Sequence, residues 1–145
     1  MIVDAVKYAG GHATKLSHRF LVGVPDLLIK LQSVNVPAGL VEVKQHKWPA
    51  EDRVFDLEVT PPQRRVLGQF NAAGMPCGVA SFLQKGAGNS RELYLSVMSY
   101  QTLQYSDGTI KPFTCARSAH VVLSKNPERR YLDIVSELEK WVVRG

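Results

Sequence analysis

Two short apolar runs, at 27–31 and 40–44, are separated by a turn-forming stretch rich in Ser, Asn, Pro and Gly, and this pattern predicts a pair of central strands lying antiparallel. Before them, Ile2–Tyr8 predicts a short helix stopped by Gly10-Gly11, and the mixed polarity of 12–20 predicts an edge strand. The stretch 45–60 is polar and aperiodic, holds Trp48-Pro49, and reads as a loop at the mouth of a site. Thr60-Pro61-Pro62-Gln63 has the form of an N-cap followed by proline in a first helical turn. Val66, Leu67, Phe70 and Ala73 then make an apolar stripe that ends at Gly74. Further strands are predicted at 77–83 and 93–98, joined through Gly86-Ala87-Gly88-Asn89, and another at 119–123 after a hairpin-like turn at Ser106-Asp107-Gly108. A last helix over 127–143 would bury Leu132, Val135, Leu138 and Val142 and leave Trp141 partly exposed. This alternation of helices and strands predicts an α/β fold in one domain, 1–145.

Against that pattern three charged residues stand out. Asp26 begins the first central strand, and Glu42 and Lys44 lie two apart on the second, so they share a face while Val41 and Val43 take the other. Carboxylates beside apolar strands need a partner or a cation, because an unpaired buried charge is strongly unfavourable. With the strands antiparallel, Asp26 can face Glu42. Two carboxylates and the Val43 backbone carbonyl are hard oxygen donors of the kind Mg²⁺ takes while keeping several waters.

Gly-Val-Pro-Asp at 23–26 and Val-Glu-Val-Lys at 41–44 resemble the PD-(D/E)xK nuclease superfamily. The lead-in from Lys15 to Asp26 and the Thr60–Gln63 helix start are similar to small stand-alone phage nucleases of the VRR-NUC type, relatives of Holliday junction resolvases. The resemblance implies a restriction-endonuclease-like core, a central mixed β-sheet flanked by helices. It implies a Mg²⁺-dependent endodeoxyribonuclease, with Mn²⁺ able to substitute. Asp26 and Glu42 would anchor the ion together with the Val43 carbonyl, Lys44 would orient or activate water and stabilise developing charge, and Gln63 would lie near lysine and phosphate. Many relatives carry a further Glu on the N-terminal helix; here no Glu precedes Glu42, and Asp4 is the acid available on that helix. Branched or junction DNA is the implied substrate, cut by a homodimer that supplies two active sites. A non-catalytic DNA-binding protein on the same fold, or a nuclease for flap, nicked or linear duplex DNA, are the alternatives. The dimer surface is left open among 93–98, the turn at Asp107 and the last helix.

Composition changes this picture modestly. A formal charge of +5 and an isoelectric point near 9.4 suit an anionic partner. His18, Arg19, Lys47, Arg64 and Arg65 flank the motif residues and are candidate phosphate contacts. Cys77 and Cys115 lack CxxC spacing, which predicts reduced structural cysteines and excludes a zinc-finger or disulfide framework. With no apolar run of about 18 residues and no signal-peptide pattern, no membrane association is expected; a cytoplasmic setting is, in a bacterial host if the chain is phage-encoded.

Overall fold

The computed structural model describes residues 1–16, 22–33, 35–100, 107 and 113–144. Among the described residues the α-helices and strands follow one another as α1 (Ile2–Tyr8), β1 (His12–Lys15), β2 (Leu27–Lys30), β3 (Gly39–Lys47), β4 (Val54–Asp56), α2 (Pro61–Ala72), β5 (Cys77–Lys85), β6 (Glu92–Ser99), β7 (Thr114–Ala116), β8 (Val121–Val122) and α3 (Pro127–Arg144). Six strands form a mixed sheet in the order β1-β2-β3-β5-β6-β8, and β4 pairs with β7 in a separate two-stranded ribbon. Among the described residues only β3 and β5 run parallel, from Leu40↔Cys77 to Lys47↔Gln84. A parallel pair needs a long crossover, and the segment carrying α2 supplies it.

The period-two alternation of β3 divides the protein into two layers. Val41 belongs to a core formed with α1 and α3, whereas Leu40 belongs to a second core with Leu67 of α2 and Cys115 of β7. Gly39 to Glu42 are buried, and exposure rises from Val43 to Lys47. The strand therefore leaves the core midway along its length, and the charged residues sit where it emerges.

Three expectations need correction. The stretch 45–60 is not all loop: β3 continues to Lys47, and β4 pairs with β7 through Val54↔Ala116 to Asp56↔Thr114. Polar residues at a sheet rim carry no apolar alternation, and β4 has a partner too distant in the chain to leave a local pattern. On α2 only Leu67 is fully buried, while Phe70 and Ala73 are exposed. The first half of this helix meets the sheet, where the Tyr100 hydroxyl donates to the Arg64 carbonyl at 2.9 Å. On α3, Leu132 is exposed and Trp141 is buried beside Ile134 and Leu138. The indole lies on a slot made of two glycines, since a Cβ at Gly39 or Gly78 would come within 2.8 or 2.6 Å of its ring. Helical periodicity cannot register such a slot, because it belongs to the surface opposite.

Both cysteines are free and buried. The turn predicted at Ser106-Asp107-Gly108 falls outside the described residues apart from Asp107. Among the described residues, no helix is long and apolar enough to cross a membrane.

Candidate active site

Three segments converge at the point where β3 emerges. The first is the loop into β2. Pro25 is fully buried, and Gly23 adopts φ +90° with its α-carbon so close to α2 that a Cβ would lie 2.4 Å from the Pro62 carbonyl oxygen. Glycine is required both by that backbone conformation and by that approach. The loop is thereby seated on the first turn of α2, and Asp26 follows at the start of β2. One residue beyond the Leu27↔Val41 pair, Asp26 faces Glu42 across the antiparallel ladder. Its Oδ2 accepts the Val43 N–H at 2.8 Å.

The second segment is β3 itself. Glu42 is 3 % exposed, on the same face as Leu40. Its Oε1 accepts from the Gln63 side chain at 2.8 Å and lies 3.7 Å from the Lys44 ammonium, whereas Oε2 is buried and has no hydrogen-bond donor among the described residues. Burial first, and the neighbouring Asp26 carboxylate second, push the Glu42 carboxyl up to about 7, with Lys44 pulling the other way. Without a cation the Glu42 carboxyl is therefore close to half-protonated at neutral pH.

The third segment is the start of α2. Thr60 and Gln63 form a reciprocal capping box: the Gln63 N–H donates to Thr60 Oγ1 at 3.4 Å, and the Thr60 N–H donates to Gln63 Oε1 at 2.9 Å. Gln63 Oε1 also accepts from Lys44 Nζ at 3.1 Å. The amide orientation follows from its surroundings. Lys44 and the Thr60 N–H can only donate, so oxygen must face them, which leaves the NH₂ for the Glu42 carboxylate.

The sequence-derived candidates are thus partly gathered. Asp26, Glu42, Lys44 and Gln63 form one cluster. Asp4 is exposed on α1, and among the described residues no third His, Cys, Asp or Glu joins the two carboxylates as a group. Arg64 donates from Nε to the Val59 carbonyl at 3.0 Å, and Arg65 is exposed one position further along α2. Lys47 is exposed at the end of β3, and His18 and Arg19 lie outside the described residues.

Two further groupings are not visible in the sequence. A buried polar pair lies next to the site: His120 donates from Nδ1 to the Ala116 carbonyl at 2.9 Å and accepts from the Ser81 hydroxyl at Nε2 at 2.8 Å, and Ser81 is the register partner of Lys44. Burial lowers the His120 pKa, in keeping with a neutral ring held between carbonyl and hydroxyl. At the far end of β3, Trp48 packs against Tyr94 with ring centroids 4.4 Å apart, and Lys85 and Arg117 lie 5.2 and 5.3 Å from its ring centre. Periodicity cannot reveal either grouping, because each joins strands distant in the chain.

The cluster fits a divalent cation. A buried carboxylate oxygen without a donor, a second carboxylate beside it and a neutral backbone carbonyl are hard oxygen ligands, and the two like charges have the Lys44 ammonium on one side of Glu42 as their partner. Compared with known proteins, the chain matches no family model and no curated relative.

Proposed function

We propose that the protein is a Mg²⁺-dependent endodeoxyribonuclease of the PD-(D/E)xK kind, with Mn²⁺ as a working substitute, on a restriction-endonuclease-like core. The observation that carries this reading is the buried, unpartnered Oε2 of Glu42 beside Asp26. Such an arrangement is unfavourable as it stands and becomes favourable once a cation occupies it. Asp26, Glu42 and the Val43 carbonyl would hold the ion. When bound, it supplies Lewis acidity and charge neutralisation at the scissile phosphate.

The chain's own residues do the rest. Gln63 spans Glu42 and Lys44, so the metal-binding carboxylate and the lysine are held at fixed separation by one amide. Lys44 is partly exposed and carries three donors, of which one is directed to Gln63. The remaining donors are available to orient the attacking water and to stabilise charge on the phosphate oxygens. The +5 net charge and the exposed Lys47 and Arg65 suit a polyanionic substrate.

The substrate we assign is branched DNA, cut by a homodimer whose two-fold axis places two sites on a symmetric junction. The alternative is a DNA-binding protein that has kept the fold without activity; it is favoured by the lack of a third carboxylate among the described residues. One assay separates them: cleavage of a synthetic four-way junction and of matched linear duplex, with Mg²⁺, Mn²⁺ or EDTA, by wild type and Glu42→Ala. Metal-dependent paired nicks on the junction, lost in Glu42→Ala, support the resolvase reading. Binding without cleavage under every condition replaces it with the alternative.

A further inference from the structure

Two cavities share Met1, Gln45 and Phe82 in their walls and therefore form one trench. The smaller, about 460 Å³, opens at Asp26 and is lined by Val43, Leu16 and Lys15 among others. The larger, about 640 Å³, continues along β3 past Lys47 to Trp48, Arg91 and Leu93. From Val43 to Lys47 the strand advances about 13 Å at the usual rise per residue. The walls combine apolar groups from Phe82, Leu93 and Trp48 with the cations Lys15, Lys47 and Arg91, and among the described residues Asp26 is their sole carboxylate. Lys85 and Arg117 add positive charge behind Trp48.

We propose that this trench receives an unpaired DNA strand continuing from the scissile phosphate at Asp26. A duplex turns its phosphates and sugars outward and keeps its base faces stacked inside, so it has nothing to offer an apolar floor. An unpaired strand presents both: bases for the part-exposed Leu93 and Trp48, above the buried Phe82, and phosphates for Lys15, Lys47 and Arg91. The inference rests on the nuclease reading for the place of the scissile phosphate, and within that reading it favours DNA that is single-stranded next to the cut over a fully paired four-way junction.

The experiment compares a fluorescein-labelled duplex bearing a tail of about ten thymidines with the same duplex blunt-ended, by anisotropy in EDTA. Wild type should bind the tailed DNA more tightly by about tenfold, the value of one stacked base, and Arg91→Glu should reduce that preference to about twofold or less. Intrinsic fluorescence gives a second readout. The chain has two tryptophans, and Trp141 is buried, so tail-dependent quenching should disappear in Trp48→Phe. Equal affinities, or quenching that survives Trp48→Phe, overturn the proposal. Parallel cleavage assays with Mg²⁺ identify which idea failed: DNA cut without any tail preference removes the trench alone, and tail-dependent binding without cleavage of any DNA upholds the trench and removes the nuclease.

Discussion

Gln63 donates to Glu42 Oε1 at 2.8 Å through an amide whose oxygen is already committed to the Thr60 N–H and the Lys44 ammonium. One side chain thus caps α2, orients the lysine and supplies the buried carboxylate with a donor. Gln63→Glu keeps the acceptor for Lys44 and Thr60 but sets a carboxylate against Glu42. We expect cleavage to fall by about 100-fold, with a lower melting temperature in EDTA than wild type. Gln63→Ala should lose about 1 kcal/mol through the cap alone. Single-turnover cleavage and thermal melts of both variants check this, and a Gln63→Glu protein as active as wild type would remove Gln63 from the site.

Lys44 should matter for the chemical step more than for binding. Lys44→Met is expected to reduce kcat by about 100- to 1,000-fold, the range found when one positioned electrostatic donor is removed, with little change in DNA affinity measured in EDTA. Loss of affinity in place of rate would make Lys44 a phosphate anchor only.

Glu42 predicts the pH dependence of stability. Its folded-state pKa, about 7, lies above the unfolded value of 4.5, so between these values the folded protein holds more proton. The contribution is fully present below pH 4.5 and is lost as pH rises through 7. Metal-free protein should lose on the order of 1–2 kcal/mol over this window, after allowance for solvent screening at the open rim. Urea denaturation in EDTA at pH 5 and pH 8 measures it. Glu42→Gln should flatten the slope and be the more stable protein at pH 8.

If Mg²⁺ is the ion held at this site as proposed, its binding competes with the same proton. Affinity should fall about tenfold per pH unit below neutrality, and calorimetry should register proton release on binding at pH 6 but little at pH 8.5. A metal affinity independent of pH, or unaffected by Asp26→Asn and Glu42→Gln, would remove this pair as the ligand set.

On the far side of the sheet, Gly78→Ala would bring a methyl group within 2.6 Å of the Trp141 ring and should destabilise the fold by about 1–3 kcal/mol. Trp141→Leu in the same chain should recover part of that loss, which a double-mutant cycle from denaturation midpoints would show.

Much of the site could be read from the chain because its information is local. The Thr60–Gln63 capping box spans one helical turn, Glu42 and Lys44 are two residues apart, and the antiparallel pairing that brings Asp26 to Glu42 follows from adjacent apolar strands. What escaped prediction depends on distant partners. Trp141 is buried because glycines on β3 and β5 open a slot beneath it, and Leu132 is exposed because α3 is rotated to bring Trp141 there. β4 exists through its pairing with β7, and the Ser81–His120 hydrogen bond joins residues 39 positions apart. No window along the chain contains these relationships.

The seating of Gly23 on the first turn of α2 has a consequence for the life of the chain. Asp26, Glu42 and Gln63 are carried by separate segments, and Gln63 occupies its place only after α2 has formed and docked beneath that loop. A chain still emerging from the ribosome, or one whose helix start has frayed, holds every reactive residue and yet has no assembled centre. Under the proposed nuclease function, competence to cut would then be acquired late and all at once, and a half-folded molecule would be harmless to the DNA around it.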